Sequence, residues 1–167
     1  MGDQSLMVRK RTSLAYSDGT PRGFCAIGLV NPKTPANIGS VLRAAGCYGA
    51  RAVVIEGARG HAMVAHAKTD TMNAFTSIPT ILQDDVFEGH PVGTVPVAVE
   101  LCDDAKSLVT FNHPTCAFYV FGPEDGTLGK KHLDRCAYRV FIPTNRCMNL
   151  AATVNVVLYD RLAKATR

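Results

Sequence analysis

The sequence contains no tryptophan and only 7% aromatic residues, so no aromatic platform for stacking bases is evident in it. Long apolar runs are missing too: the uninterrupted stretches reach only a few residues, far short of the roughly 20 that span a bilayer. The opening Met1-Gly2-Asp3-Gln4-Ser5 has no basic stretch leading into an apolar one, so no export signal is read there and a soluble cytoplasmic protein, away from the membrane, is expected. The glycine motifs of common nucleotide enzymes are absent. There is no G-x-G-x-x-G and no G-x-x-x-x-G-K-[ST], which removes simple dinucleotide and P-loop chemistry. Without G-x-S-x-G, or a Cys or Ser in a recognisable nucleophile setting, hydrolase chemistry lacks its usual sign.

Cysteine is present but unpatterned. Cys25, Cys47, Cys102, Cys116, Cys136 and Cys147 form no C-x-x-C pair and accompany no paired histidines, so neither a disulfide framework nor a metal site is expected. Cys25 and Cys116 lie inside apolar runs and read as small core residues. His61 and His66 stand five apart, off the i, i+4 register of a helical metal pair, and read as surface residues. Charge is low, at 19% of residues, with 18 Lys and Arg against 14 Asp and Glu. A net charge of +4 permits a polyanionic partner without demanding one.

What is there suits one compact domain: 167 residues, 47% of them apolar. Residues 1–22 are polar, with a basic cluster at Arg9-Lys10-Arg11 and a turn-forming Ser17-Asp18-Gly19-Thr20-Pro21; they read as a flexible tail ahead of a domain over 23–167. Apolar runs of strand length recur at Phe24–Val30, Ala52–Ile55, Val95–Leu101, Cys116–Phe121 and Tyr138–Ile142, each bounded by turn formers. Helical faces alternate with them. Ile38, Val41, Leu42 and Ala45 share one face after Asn37, and Leu150, Val154, Val157 and Leu158 share another after Asn149; each Asn reads as an N-cap. Weaker helical stretches lie at His61–Met72, Ile78–Leu82, Ala105–Leu108 and Lys130–Cys136. Strands separated by helices predict an α/β domain with a mostly parallel sheet and helices on both faces.

In such a sheet ligands bind beyond the carboxyl ends of the strands. That rule selects the turns 31–37, 100–104, 122–126 and 143–149, where polar residues are concentrated. Arg43 sits alone in a helix of small and apolar residues, near the same side of its beginning as Asn37, after a loop stiffened by Pro32 and Pro35. Such a corner suits an anion, although a lone helical Arg is more often only solvated. Asn31, Asn37, Asn145 and Asn149 read first as turn and cap residues, and with Glu124 they also form a polar rim for a ligand.

These segments resemble the motifs of the SpoU-type (SPOUT, TrmH-like) RNA 2′-O-ribose methyltransferases. Asn31-Pro32, Asn37-Ile38-Gly39-Ser40 and Arg43 match the first motif, Phe121-Gly122-Pro123-Glu124 with Gly126 and Leu128 the second, and Ile142-Pro143 with Met148-Asn149-Leu150 and the following helix the third. In the third motif Cys147 stands where relatives commonly carry Ser. The resemblance implies an α/β domain with a deep C-terminal trefoil knot, an exception to the usual rule against threaded chains. It also implies a homodimer with its two sites at the subunit interface.

The donor implied is S-adenosyl-L-methionine. Its shell would be the backbone of Val99, Glu100 and Leu101, then Gly122, then Ile142, Cys147, Met148 and Leu150, with no metal. Arg43 would be the central catalytic residue, clamping the target phosphate and the developing alkoxide, and Asn37, Glu124 and Asn149 would orient it and the ribose. A tRNA substrate is expected, with rRNA methylation or a catalytically weak RNA- or cofactor-binding module as the alternatives. Lys33, Arg43, Arg146 and the basic tail would contact the RNA.

Overall fold

The structure is a computed structural model and describes residues 23–67, 69–70 and 76–165. The basic tail lies outside these residues. Seven strands form one sheet, β1 (Phe24–Val30), β2 (Val53–Glu56), β3 (Thr80–Gln83), β4 (Val95–Val99), β5 (Lys106–Ser107), β6 (Cys116–Phe121) and β7 (Tyr138–Phe141). Among the described residues four α-helices accompany them: α1 (Pro35–Tyr48), α2 (Ala58–Val64), α3 (Gly129–Leu133) and α4 (Leu150–Ala165). The strand order is β3-β2-β1-β6-β4-β7-β5, and every neighbouring pair is parallel. An α/β domain built on a parallel sheet is therefore what the chain forms.

The five expected strands are all present: β1, β2 and β6 are buried on both faces and read as continuous apolar runs, while β4 and β7 are buried only in part. Alternation along β1 divides the core. Ile27 and Leu29, with Tyr119 and Phe121 of β6, face α1 and α4, while Ala26 and Val30, with Phe118 and Val120, face the other way. Gly28 is fixed by that second face: a Cβ there would lie 2.6 Å from the Phe118 ring and 2.7 Å from Val86. The first face carries the long helices, and the second is closed by Val86 and Phe87 of the turn after β3 and by Leu128 and Leu133 around α3. Helical cover on that side is thus a single short helix plus an irregular segment.

Other expectations change. Ile78–Leu82 is not helical, since Thr80–Gln83 pairs with β2 as an edge strand. Ala105–Leu108 becomes the two-residue β5 followed by a 3-10 turn over Leu108–Thr110. The helix expected over His61–Met72 is α2, which ends at Val64, and residues 71–75 lie outside the described set. α1 starts earlier than the apolar face suggested, with Thr34 at the N-cap and Pro35 in the first turn, where proline's missing N–H costs nothing. Gly49 ends it at φ 74°, the left-handed conformation that glycine adopts freely. Asn149 is a true N-cap, its Oδ1 accepting from Ala151 N at 2.9 Å and Ala152 N at 3.3 Å.

At the far end of α4 the cations do more than oppose the helix dipole. Arg161, 9% exposed, donates to the carbonyls of Pro114 and Thr115 at 2.6 and 2.7 Å. Lys164 donates to Leu108 and Phe111. These bonds tie α4 to the segments entering β6. The six cysteines are all free, Cys25 buried and Cys116 half-buried. Among the described residues no helix is long and apolar enough to cross a membrane.

Candidate active site

The four polar turns singled out above follow β1, β4, β6 and β7, which stand side by side as β1-β6-β4-β7 in the sheet. All point the same way, so their carboxyl ends open onto one edge. There the loops after β4, β6 and β7 line a cavity of about 480 Å³, within the usual range for a small-molecule site. Val99, Glu100 and Leu101 line it from β4, and Gly122 from β6. Ile142, Cys147, Met148 and Leu150 close it from the loop after β7. All eight residues expected around the cofactor therefore share one cavity.

The loops are cross-linked through side chains that the local pattern did not advertise. Glu124, on the loop after β6, accepts from Lys33 N at 2.7 Å, Thr34 N at 3.3 Å and Thr34 Oγ1 at 3.2 Å. It also accepts from Asn37 Nδ2 at 2.5 Å. Asn37 is thus not a cap but a bridge, because its Oδ1 accepts in turn from Asn149 Nδ2 at 2.9 Å. One chain, Glu124 to Asn37 to Asn149, joins the turns of all three motifs. Partial burial pushes the Glu124 carboxyl up, but the hydrogen bonds from Asn37, Lys33 and Thr34 outweigh it and hold the group below the ordinary carboxylate range.

Asp125 adds a second link. Its two oxygens lie 2.9 and 3.0 Å from the Arg59 guanidinium, a paired geometry that fixes direction as well as charge. Arg59 also donates to Asn31 O at 2.6 Å. Asn31 has φ 47°, a sparsely populated conformation for a residue with a side chain, and a Cβ on Gly57 would sit 3.0 Å from its Oδ1.

The loop after β6 is anchored at its other end by Leu128. Its N–H donates to Glu100 Oε2 at 2.9 Å, and its carbonyl faces His132 Nδ1 at 2.7 Å. The other nitrogen of His132 is 2.9 Å from the buried Glu56, which also accepts from Val86 N at 2.8 Å. Sequence reasoning missed Glu56, Arg59 and His132, and for Glu100 it expected only the backbone, because these side-chain contacts join residues 28 or more apart in the chain. His61, expected at the surface, is half-buried, with Nε2 at 3.0 Å from Ile55 O and 2.9 Å from Gln83 O; it ties the ends of β2 and β3 together.

Arg43 sits apart. It is exposed on α1 and does not line the cavity. Six residues on a helix turn through about 600°, which leaves the Asn37 and Arg43 side chains about 120° apart rather than on a common side. Arg146 does line the cavity and is exposed, and Lys33 lies 3.6 Å from Asp125.

Comparison with known proteins now decides the family. The model of the SpoU rRNA Methylase family matches residues 25–159. The chain belongs to that family. Its parallel sheet agrees with the folds of solved SpoU proteins, and the family implies the trefoil knot in the segment from β7 into α4. No curated protein sequence matches the chain.

Among solved structures, the SpoU methyltransferase AviRb from Streptomyces viridochromogenes, in complex with AdoMet, has a TM-score of 0.70 at 21% identity and covers 84% of this chain. A structure concerning 2-OH methylation of C/U34 on tRNA has a TM-score of 0.72 at 24% identity, over 87% of this chain and 98% of that one. An AdoMet-bound rRNA methyltransferase from Sinorhizobium meliloti gives 0.71 at 17% identity, over 93% and 69%. This SpoU chain spans 60% of the length of AviRb.

Proposed function

We propose that this SpoU chain transfers a methyl group from S-adenosylmethionine to a ribose 2′-hydroxyl of RNA, with tRNA as the preferred substrate and a homodimer as the working unit. The observation that carries the reading is the convergence of the loops after β4, β6 and β7 on one cavity, with the loop after β1 tied to its rim through the Glu124–Asn37–Asn149 chain. The cavity suits the donor. Val99, Ile142 and Leu150 offer apolar walls to a nucleoside, and Gly122 keeps room where a Cβ would lie 3.1 Å from Leu128 N. When bound, the donor supplies an electrophilic methyl group on a sulfonium.

The chain's own residues would supply positioning and charge. An arginine stays charged in proteins, so Arg43 acts as a clamp on the target phosphate and on the developing alkoxide rather than as a base. The hydroxyl proton then leaves to phosphate or water. Glu124 holds Asn37, and Asn37 with Asn149 orients the ribose toward the cavity mouth. Exposed Tyr159 and Val156 on α4, beside exposed Arg43 and Cys47 on α1, support a pairing surface through these two helices. Pairing there brings Arg43 to the interface at which the resemblance puts the sites.

The test is incubation of the full chain with radiolabelled donor and either total tRNA or rRNA, followed by digestion to nucleosides. The expected result is label in 2′-O-methylated nucleosides from tRNA. Label from rRNA alone moves the substrate, and donor binding without any transfer favours the binding-module alternative.

A further inference from the structure

Glu100 follows β4 and lines the cavity, with Oε2 beside Gly122, where a Cβ would lie 3.5 Å from it. The family resemblance implies only a backbone role at this position. Its two oxygens are each held by one N–H, Oε1 by Leu101 at 3.1 Å and Oε2 by Leu128 at 2.9 Å. A carboxylate accepts about four hydrogen bonds, so half its capacity is left to face the cavity. Nothing neutralises it: among the described residues Glu100 forms no ion pair, whereas Asp85, Asp104, Asp125 and Asp160 each do.

The other charged groups lining the cavity are Glu124, committed to Lys33, Thr34 and Asn37, and the exposed Arg146. Gly122 keeps the approach open, since a Cβ there would lie 3.5 Å from Glu100 Oε2. The cavity therefore holds a fixed, part-buried negative charge in search of a partner.

We propose that Glu100 is a specificity-determining residue that reads the positive charge on the sulfur of the methyl donor. The inference rests on the reading of the cavity as the donor site. Donor and demethylated product share the nucleoside and the amino-acid end, and they differ in the sulfonium methyl and its charge. A carboxylate aimed at that point strengthens binding of the charged form selectively, because attraction is little screened in a part-buried site. Loss of the charge on transfer then removes the extra hold, which favours product exit.

The test measures binding of S-adenosylmethionine, of its amine analogue sinefungin, and of uncharged S-adenosylhomocysteine to the full chain by calorimetry. E100Q and E100A are compared with the wild type. Both variants loosen the bonds to Leu101 and Leu128, an effect that weakens all three ligands alike. Charge reading acts on the two cationic ligands only. The expected result is a fall of about tenfold in affinity for the cationic ligands relative to S-adenosylhomocysteine in both variants, with E100D retaining the wild-type ratio. An unchanged ratio in E100Q and E100A overturns the role of Glu100 while leaving the donor site standing. A wild type that binds none of the three overturns the donor site and this inference together.

Discussion

Replacing Glu124 by Gln tests the link that joins the three loops. The carboxylate accepts four hydrogen bonds, from Lys33 N, Thr34 N, Thr34 Oγ1 and Asn37 Nδ2. Bonds to a charged acceptor contribute about 1.5–3 kcal/mol each in favourable settings. Glu124 sits on an exposed rim, where screening and competing water cut that sharply, so about 2 kcal/mol for the whole cluster is reasonable. Glutamine keeps one acceptor oxygen and turns an NH2 toward the remaining donors, so E124Q should lose about 1–2 kcal/mol at pH 7 by urea unfolding. The pH dependence is sharper. Because the folded-state pKa lies below the ordinary 4.5, the charge contributes stability above 4.5 and loses it as pH falls through the lower folded value. The gap between wild type and E124Q should shrink as pH falls below 4.5 and vanish once the folded-state carboxyl is protonated. A gap that stays constant through that fall would refute the reasoning.

Substitutions at three further positions follow from the same geometry. Arg43→Lys keeps the charge but loses the planar fork, so methyl transfer should drop at least about 100-fold with no change in unfolding midpoint; near-normal turnover contradicts the clamp. Asn149→Ala removes the α4 cap and should cost about 1 kcal/mol. Asn149→Asp keeps the cap but cannot donate to Asn37, so its thermal stability should recover while its turnover does not. Gly122→Ala puts a Cβ 3.1 Å from Leu128 N, which should weaken donor binding about tenfold with a melting shift of only a few degrees, as calorimetry and thermal unfolding would show.

The site was legible where chemistry follows the strand ends. β1 and β6 are buried on both faces and β4 along most of its length, while β7 keeps Tyr138 exposed but still reads as a mainly apolar run, so the polar turns behind these strands are easily found. β3 was hidden because it is a half-exposed edge strand of four residues, without the buried run that marks a strand, and β5 has only Lys106 and Ser107. The start of α1 was misplaced at Asn37 although Pro35 signals a first helical turn; a polar side chain that bridges two loops looks locally like a cap.

The links through Glu124, Glu100 and His132 depend on which strands become neighbours. β6 lies between β1 and β4 in the sheet but follows both in sequence, and no local spacing records that insertion. The knot came only with the resemblance, since no periodicity encodes threading.

The central claim is that the loops after β4, β6 and β7 form one site for a sulfonium methyl donor. Titration of the full chain with S-adenosylmethionine, followed by backbone amide shifts, tests it most directly. The account predicts saturable binding of one donor per chain, with shifts concentrated at Glu100, Leu101, Gly122 and residues 142–150. Failure to saturate, or shifts gathered at the opposite edge of the sheet, would contradict it.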